Sequence, residues 1–264
     1  MKSSILLFLL FTCNSCYLFA QDTFRLAPPL LKYNAVFFVY ENEVEIKFAE
    51  SQTAVHYSLN NEEPTMQDPI YTKPIKIKDN FTTLKAKAFG NNFYSSETVG
   101  VTFIKDGKPI PSIDQTIPNP KYPGSGNNTL ADNKGGIDQL SSNTWMGYNC
   151  DTVSISLNFG KQQKVNKVLL DFLQNESSWI FLPENIFVNW FDKKTNSYQF
   201  FGSEKILSDN ETTGSHCNHR IIETKNKIKT DKILINIIVQ KNIPSWHPAK
   251  GEHAWMFIDE IKVY

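Results

Sequence analysis

Apolar and polar side chains alternate with a period of two along most of this chain, and no stretch sustains the apolar repeat of a helix. In AVHYSL, Val55, Tyr57 and Leu59 alternate with His56 and Ser58; in TLKAKAF, Leu84, Ala86 and Ala88 alternate with Lys85 and Lys87. Such strands have one dry face and one wet face, as a sandwich of two sheets requires. The pattern predicts an all-β protein in which His56 faces solvent. Between these strands, NNEEPT (60–65) and QDP (67–69) supply turn chemistry.

The alternation lapses at 105–128, a stretch rich in proline and glycine, which marks a boundary or a long entry loop. The expected division is a first domain over 29–106, a linker over 107–120 and a second domain over 121–264. Strands resume at 153–160, 165–173, 185–191, 219–224 and 232–239, and the chain closes on AWMFIDEIKVY. Six or more strands of this kind suit a jelly-roll sandwich. The two segments do not resemble each other, so internal repetition is not expected. In the closing strand Trp255, Phe257, Ile261 and Val263 are assigned to the core face, and Trp145 is assigned to the core as well.

Residues 1–20 read as a leader and not as part of the fold: Lys2 is followed by ILLFLLF, and Ala20 is a small residue suited to cleavage. Lipidation at Cys13 or Cys16 is the alternative, although neither follows the usual small residue. No second apolar run is long enough to span a membrane. The expected destination is therefore the periplasm, the cell surface or the medium.

Composition narrows the function. Twenty-seven Lys and Arg balance 27 Asp and Glu, so no long-range field draws nucleic acid or anionic membrane. Cys150 and Cys217 remain after the leader, a count that permits one disulfide without requiring it. SHCNH (215–219) offers too few ligands at the wrong spacing for zinc. Asp259 and Glu260 adjoin like a catalytic pair, but neighbours on a strand point to opposite faces. No G-x-S-x-G, H-E-x-x-H or P-loop occurs, so catalysis is not expected.

Two resemblances add to this reading. AVHYSLNNEEPTMQDPIYTKPIKIKDNFTTLKAKAF (54–89) resembles the small β-sandwich that follows the barrel in chitobiases and β-hexosaminidases. TLADNKGG, NTWMGY and VSISLNFGKQQKVNKVLLDFLQ are similar to the discoidin, or coagulation factor 5/8 type C, domain. SSWIFLPENIFV and WHPAKGEHAWMFIDEIKVY extend that likeness to the C-terminus of Bacteroidetes family 20 hexosaminidases. Together they imply an Ig- or fibronectin-like sandwich followed by a discoidin-type, galactose-binding-like jelly roll. That is the tail order of those enzymes without their barrel, for which a further ~200 residues are needed.

The resemblance also implies sites. A structural calcium, Ca²⁺, would take Asp132, Thr144 and Glu260, hard oxygen donors that join the first loop to the last strand. The loop here reads ADNKGG where the family has D-G-N, and the alternative is that Asp132 caps a turn while Glu260 faces water. Sugar would be met by the loops 174–179 and 244–253, with Trp246 and His247 as an exposed platform, Trp179 second, and Gln174 as a polar partner. The family's Arg is absent from the earlier loop, and Arg220 is the substitute from another strand. Trp179 and Trp246 fit equally well as plugs at the sandwich end. The resulting expectation is an exported, non-catalytic module that binds a galactose- or N-acetylhexosamine-type glycan weakly, with a glycosidase or a cell-surface protein as partner. A structural or adhesion component that contacts protein, and a detached accessory tail of a hexosaminidase, are the alternatives.

Overall fold

The computed structural model describes residues 24–140, 143–208 and 211–264; the expected leader, with Cys13 and Cys16, lies outside them. The first sandwich contains β1 (Leu30–Lys32), β2 (Phe37–Phe38), β3 (Asn42–Lys47), β4 (Thr53–Ser58), β5 (Ile75–Ile77), β6 (Phe81–Gly90) and β7 (Val99–Lys105). One sheet runs β1-β3-β5 and the other β2-β7-β6-β4. Val44 and Ile46 from the first face Val55, Leu84, Ala86 and Ala88 from the second. The alternation in TLKAKAF therefore emerges as one buried and one wetter face.

His56 departs from the expectation. It is buried, with Nδ1 2.8 Å from the Asp68 carbonyl and its ring edge-on to Phe89. The QDP turn folds back so that Tyr71 N–H donates to the Val55 carbonyl, and this covers the face that β4 alternation assigns to water. Leu59, assigned inward, lies past the end of β4 and is exposed.

The second sandwich contains β8 (Ser112–Gln115), β9 (Met146–Tyr148), β10 (Thr152–Gln174), β11 (Asn185–Asp192), β12 (Ser197–Lys205), β13 (His216–Ile238) and β14 (Met256–Val263). Two of these, β10 and β13, are 23 residues each and pair antiparallel along most of their length. What the sequence presents as four strands is thus two, each bent where the register slips between Asn158 and Gln163, next to Gly160 at φ +69°. The first half of β10 pairs β8, and the second half of β13 pairs β11. The second half of β10 pairs β14, which pairs β9. Val153, Ile155 and Leu157 on one layer and Val168, Leu170 and Phe172 on the other belong to one core. β8 lies inside the stretch expected to be a linker, so the second sandwich begins near residue 112.

The sandwiches pack directly against each other. Phe37 and Ile104 meet Leu169, with Ile221 and Tyr264 at the margin. Tyr264 Oη donates 2.6 Å to the Lys105 carbonyl, and Lys108 N–H donates 2.7 Å to the Val263 carbonyl. Among the described residues no helix is long and apolar enough to cross a membrane.

Candidate functional site

Alternation on β13 separates two sets of side chains. Asn218 and Arg220 stand opposite Phe172 and Leu170, and so point to the inner face of the sandwich. Cys217, His219 and Ile221 point the other way, toward the first sandwich. The SHCNH residues are therefore divided between two environments, as a two-residue period dictates.

Toward its open end the inner face turns from apolar to polar. Gln174 ends β10 where the Phe172 and Leu170 series would continue, and there a cavity of about 340 Å³ opens. Gln174, Glu176, Asn218 and Arg220 line it, with Ser208, Thr212, Leu182 and Leu207 around them. The groups are held by each other: Asn218 Nδ2 donates 3.1 Å to Gln174 Oε1, and Gln174 Nε2 donates 2.8 Å to Glu176 Oε1 and 3.2 Å to Thr212 Oγ1. Thr212 N–H donates 2.7 Å to Glu176 Oε2. Arg220 Nη1 donates 3.1 Å to Glu204 Oε1, while its Nε is buried with no hydrogen-bond partner among the described residues.

A buried donor left unpaired costs about 1–3 kcal/mol, so such a group in a cavity wall is a position where a ligand oxygen gains. An amide, a carboxylate and a guanidinium fixed by neighbours offer both donors and acceptors to a hydroxyl-rich ligand.

The residues singled out from sequence fall unevenly around this cavity. Gln174 lines it. Trp246 is half-buried against Phe181 and His247, and its Nε1 donates 3.3 Å to the carbonyl of Ser208, a cavity residue. His247 is no exposed platform: only 9% accessible, its Nδ1 accepts from Ala249 N–H at 3.0 Å and so serves the 247–249 turn. Trp179, at φ +65° after the short turn Glu176–Ser178, is 41% exposed but does not line the cavity. Trp145 is buried, and Trp255 packs half-buried beside it. Glu176, Asn218, Ser208 and Thr212 were not legible as site residues, and Arg220 was legible only as an unplaced substitute. The available signal was the parity of β13, which puts Asn218 and Arg220 together.

The other face of β10, β13 and β14 carries buried acids. Asp259 is an extra residue in β14: Asp171 pairs Glu260 and Phe172 pairs Ile258, which makes a bulge between them. Core-facing positions therefore jump from Met256 and Ile258 to Ile261 and Val263, while Phe257 joins Trp145 in a separate cluster. Asp259 and Glu260 are consequently not divided between faces. Both reach one loop, Asp259 Oδ2 accepting from Gly136 N–H at 2.8 Å and Glu260 Oε2 from Asn133 N–H at 2.9 Å. Burial holds the Asp171 carboxyl up despite the opposing His219, 3.2 Å away. Burial and Asp171 hold Asp259 well above the carboxylate range. Burial also pushes Glu260 up to about 8, against the pull of Lys262. A cleft of about 810 Å³ lies between the sandwiches here, with His219, Thr144 and Ile137 on one wall and Tyr33 and Thr102 on the other.

The oxygens assigned to calcium do not fit that ion. Asp132 Oδ2 accepts from Ser125 Oγ at 2.7 Å and Oδ1 from Lys134 N–H at 2.9 Å, the turn-capping role. Thr144 lies with Asp259 against Gly135, where φ is +106° and an added Cβ would strike both side chains. Glu260 Oε1 accepts from Lys262 Nζ at 3.0 Å, which leaves both of its oxygens engaged by the chain. Cys150 and Cys217 are both free thiols, and burial pushes both up.

Comparison with known proteins places the first sandwich. Residues 37–101 match the chitobiase/beta-hexosaminidase C-terminal domain. No curated protein matches the chain. Among solved structures, the chain is similar to the family 32 carbohydrate-binding module of Streptococcus pneumoniae EndoD, at 13% identity over 59% of this chain and 97% of that one, TM-score 0.39. It is also similar to the family 32 module of C. perfringens NanJ in complex with galactose, at 15% identity over 58% and 91%, TM-score 0.37. A Ruminococcus gnavus GH29 fucosidase in complex with fucose gives 13% identity over 58% of this chain, TM-score 0.37, and the match spans only 25% of the fucosidase. The matched residues thus run from β2 into the first part of β7, and the cavity lies wholly in the sandwich that follows.

Proposed function

We propose that this is an exported, non-catalytic glycan-binding protein whose second sandwich receives one sugar residue, of galactose or N-acetylhexosamine type, in the cavity of Gln174, Glu176, Asn218 and Arg220. The observation that carries the reading is a cavity lined by Gln174, Glu176 and Asn218, held by one another, and by Arg220, whose buried Nε has no hydrogen-bond partner among the described residues. Sugar hydroxyls accept from Arg220 Nε and donate to Glu176, and Leu182 and Leu207 provide apolar contact for ring C–H groups. Trp246 supports the rim through Ser208 in place of stacking on the sugar. Binding at one such pocket is weak, so retention on a glycan surface comes from multivalent display or from a partner glycosidase or cell-surface protein. The first sandwich serves as its packing partner, a role supported by the continuous apolar junction.

A glycan array followed by calorimetry on the mature protein tests this. Binding to galactose- or N-acetylhexosamine-terminated glycans, weakened in Arg220→Lys and in Trp246→Ala, is the expected result. Silence across both glycan classes overturns the proposal.

A second reading, contact with protein, is favoured by one observation: Phe187, Tyr198 and Phe200 are exposed on neighbouring strands β11 and β12. Loss of cell or matrix adhesion in Phe200→Ser with glycan binding intact would favour it.

A further inference from the structure

The misfit of calcium has a cause in one side chain. Lys262 is 2% accessible, yet its ammonium is fully served: Nζ donates 3.0 Å to Asp106 Oδ1, 2.7 Å to Asn133 Oδ1 and 3.0 Å to Glu260 Oε1. An ammonium has three donors, and here three acceptors meet them. The Phe37 ring lies 5.6 Å away and adds a cation–π contact. A buried ammonium persists only when paired in this way.

The origins of these groups matter more than their number. Asp106 follows the last strand of the first sandwich, Phe37 belongs to its β2, Asn133 sits in the loop, and Glu260 and Lys262 lie two apart on the last strand. One cation therefore joins four segments, including the loop and the terminal strand that the expected calcium would have joined. The bulge at Asp259 gives the loop a second tether through Gly136 N–H. Gly136 itself lies so close to the first sandwich that an added Cβ would come within 2.8 Å of Val36 Cγ1.

We propose that the Lys262 ammonium is this protein's built-in replacement for a structural cation: it fastens the 132–136 loop to the last strand and the second sandwich to the first, so that neither needs a divalent ion. A metal bound by the same oxygens would face the ammonium across a few ångströms of low-dielectric interior, and the repulsion would expel one or the other.

The test is thermal unfolding of the full mature chain, freed of metal, in millimolar EDTA and in millimolar calcium chloride, with calorimetric titration of calcium into the folded protein. The expected result is the same midpoint in both and no heat of binding. A midpoint raised by calcium, or saturable binding to the wild-type protein, overturns the proposal without recourse to any variant. Lys262→Met is expected to lower the midpoint and to expose the 106–111 segment to protease. An unchanged midpoint and unchanged cleavage in that variant would also overturn it.

Discussion

Lys262, on the outer face of the second sandwich where it meets the first, and Arg220, on the inner face, are cations that the protein treats in opposite ways. Lys262 has an acceptor for each of its donors, contributed by three segments of chain. Arg220 has Glu204 for one end of its guanidinium and, among the described residues, no partner for Nε. The saturated charge is the one proposed to fasten, and the unsaturated one beside a cavity is the one proposed to receive a ligand. Lys262 is nearly closed to solvent whereas a quarter of the Arg220 side chain is open, and the count of satisfied donors separates them further.

The comparison breaks if the two cations respond alike. The largest effect is expected for Lys262→Met, which leaves Asp106 without its cation and Asn133 and Glu260 without their shared donor, and lowers stability by about 3 kcal/mol in urea unfolding. The acids on the same face give the next. Glu260, Asp171 and Asp259 all have folded-state pKa values above the unfolded ones, with Glu260 up to about 8 from 4.5. Each therefore keeps its proton in the folded protein where the unfolded chain has lost it, and its contribution disappears as pH rises through the folded value. Stability is expected to fall between about pH 4.5 and 8, and Asp259→Asn flattens part of that slope. A stability that rises over this window would show that these acids are ionised in the fold.

Arg220→Lys keeps a positive charge and removes Nε. Affinity for the recognised glycan is expected to fall about tenfold, roughly 1.4 kcal/mol, with the unfolding midpoint nearly unchanged. An equal loss of stability would place Arg220 with Lys262 as a fastener. Trp246→Phe removes the bond to the Ser208 carbonyl and should cost about 1 kcal/mol of stability. Trp179→Ala, at an exposed position off the cavity, should stay within about 0.5 kcal/mol and leave affinity unaltered.

The fold was largely legible because two-residue alternation reports a sandwich directly, as Leu84, Ala86 and Ala88 show by lying fully buried. The site was less so. Reading β14 by strict parity sends Asp259 and Glu260 to opposite faces, whereas one inserted residue puts both under the same loop. Reading β4 by parity sends His56 to water, whereas a turn 12 residues away caps it. Trp246 and His247 stood out as large polar-edged rings, but packing on Phe181 turned both inward. These misreadings share a cause: local pattern gives the direction of a side chain and not what covers it.

Sequence by itself determined the all-β class, the order of two sandwiches and the balance of charge, because each depends on period, composition and turn chemistry along the chain. Tertiary structure alone decided that Asn218 and Arg220 meet Gln174 and Glu176, and that Lys262 meets Asp106 and Asn133 across 156 and 129 residues of chain. Those meetings rest on the register of two long bent strands and on a single bulge, and register is a property of paired strands that no one strand contains.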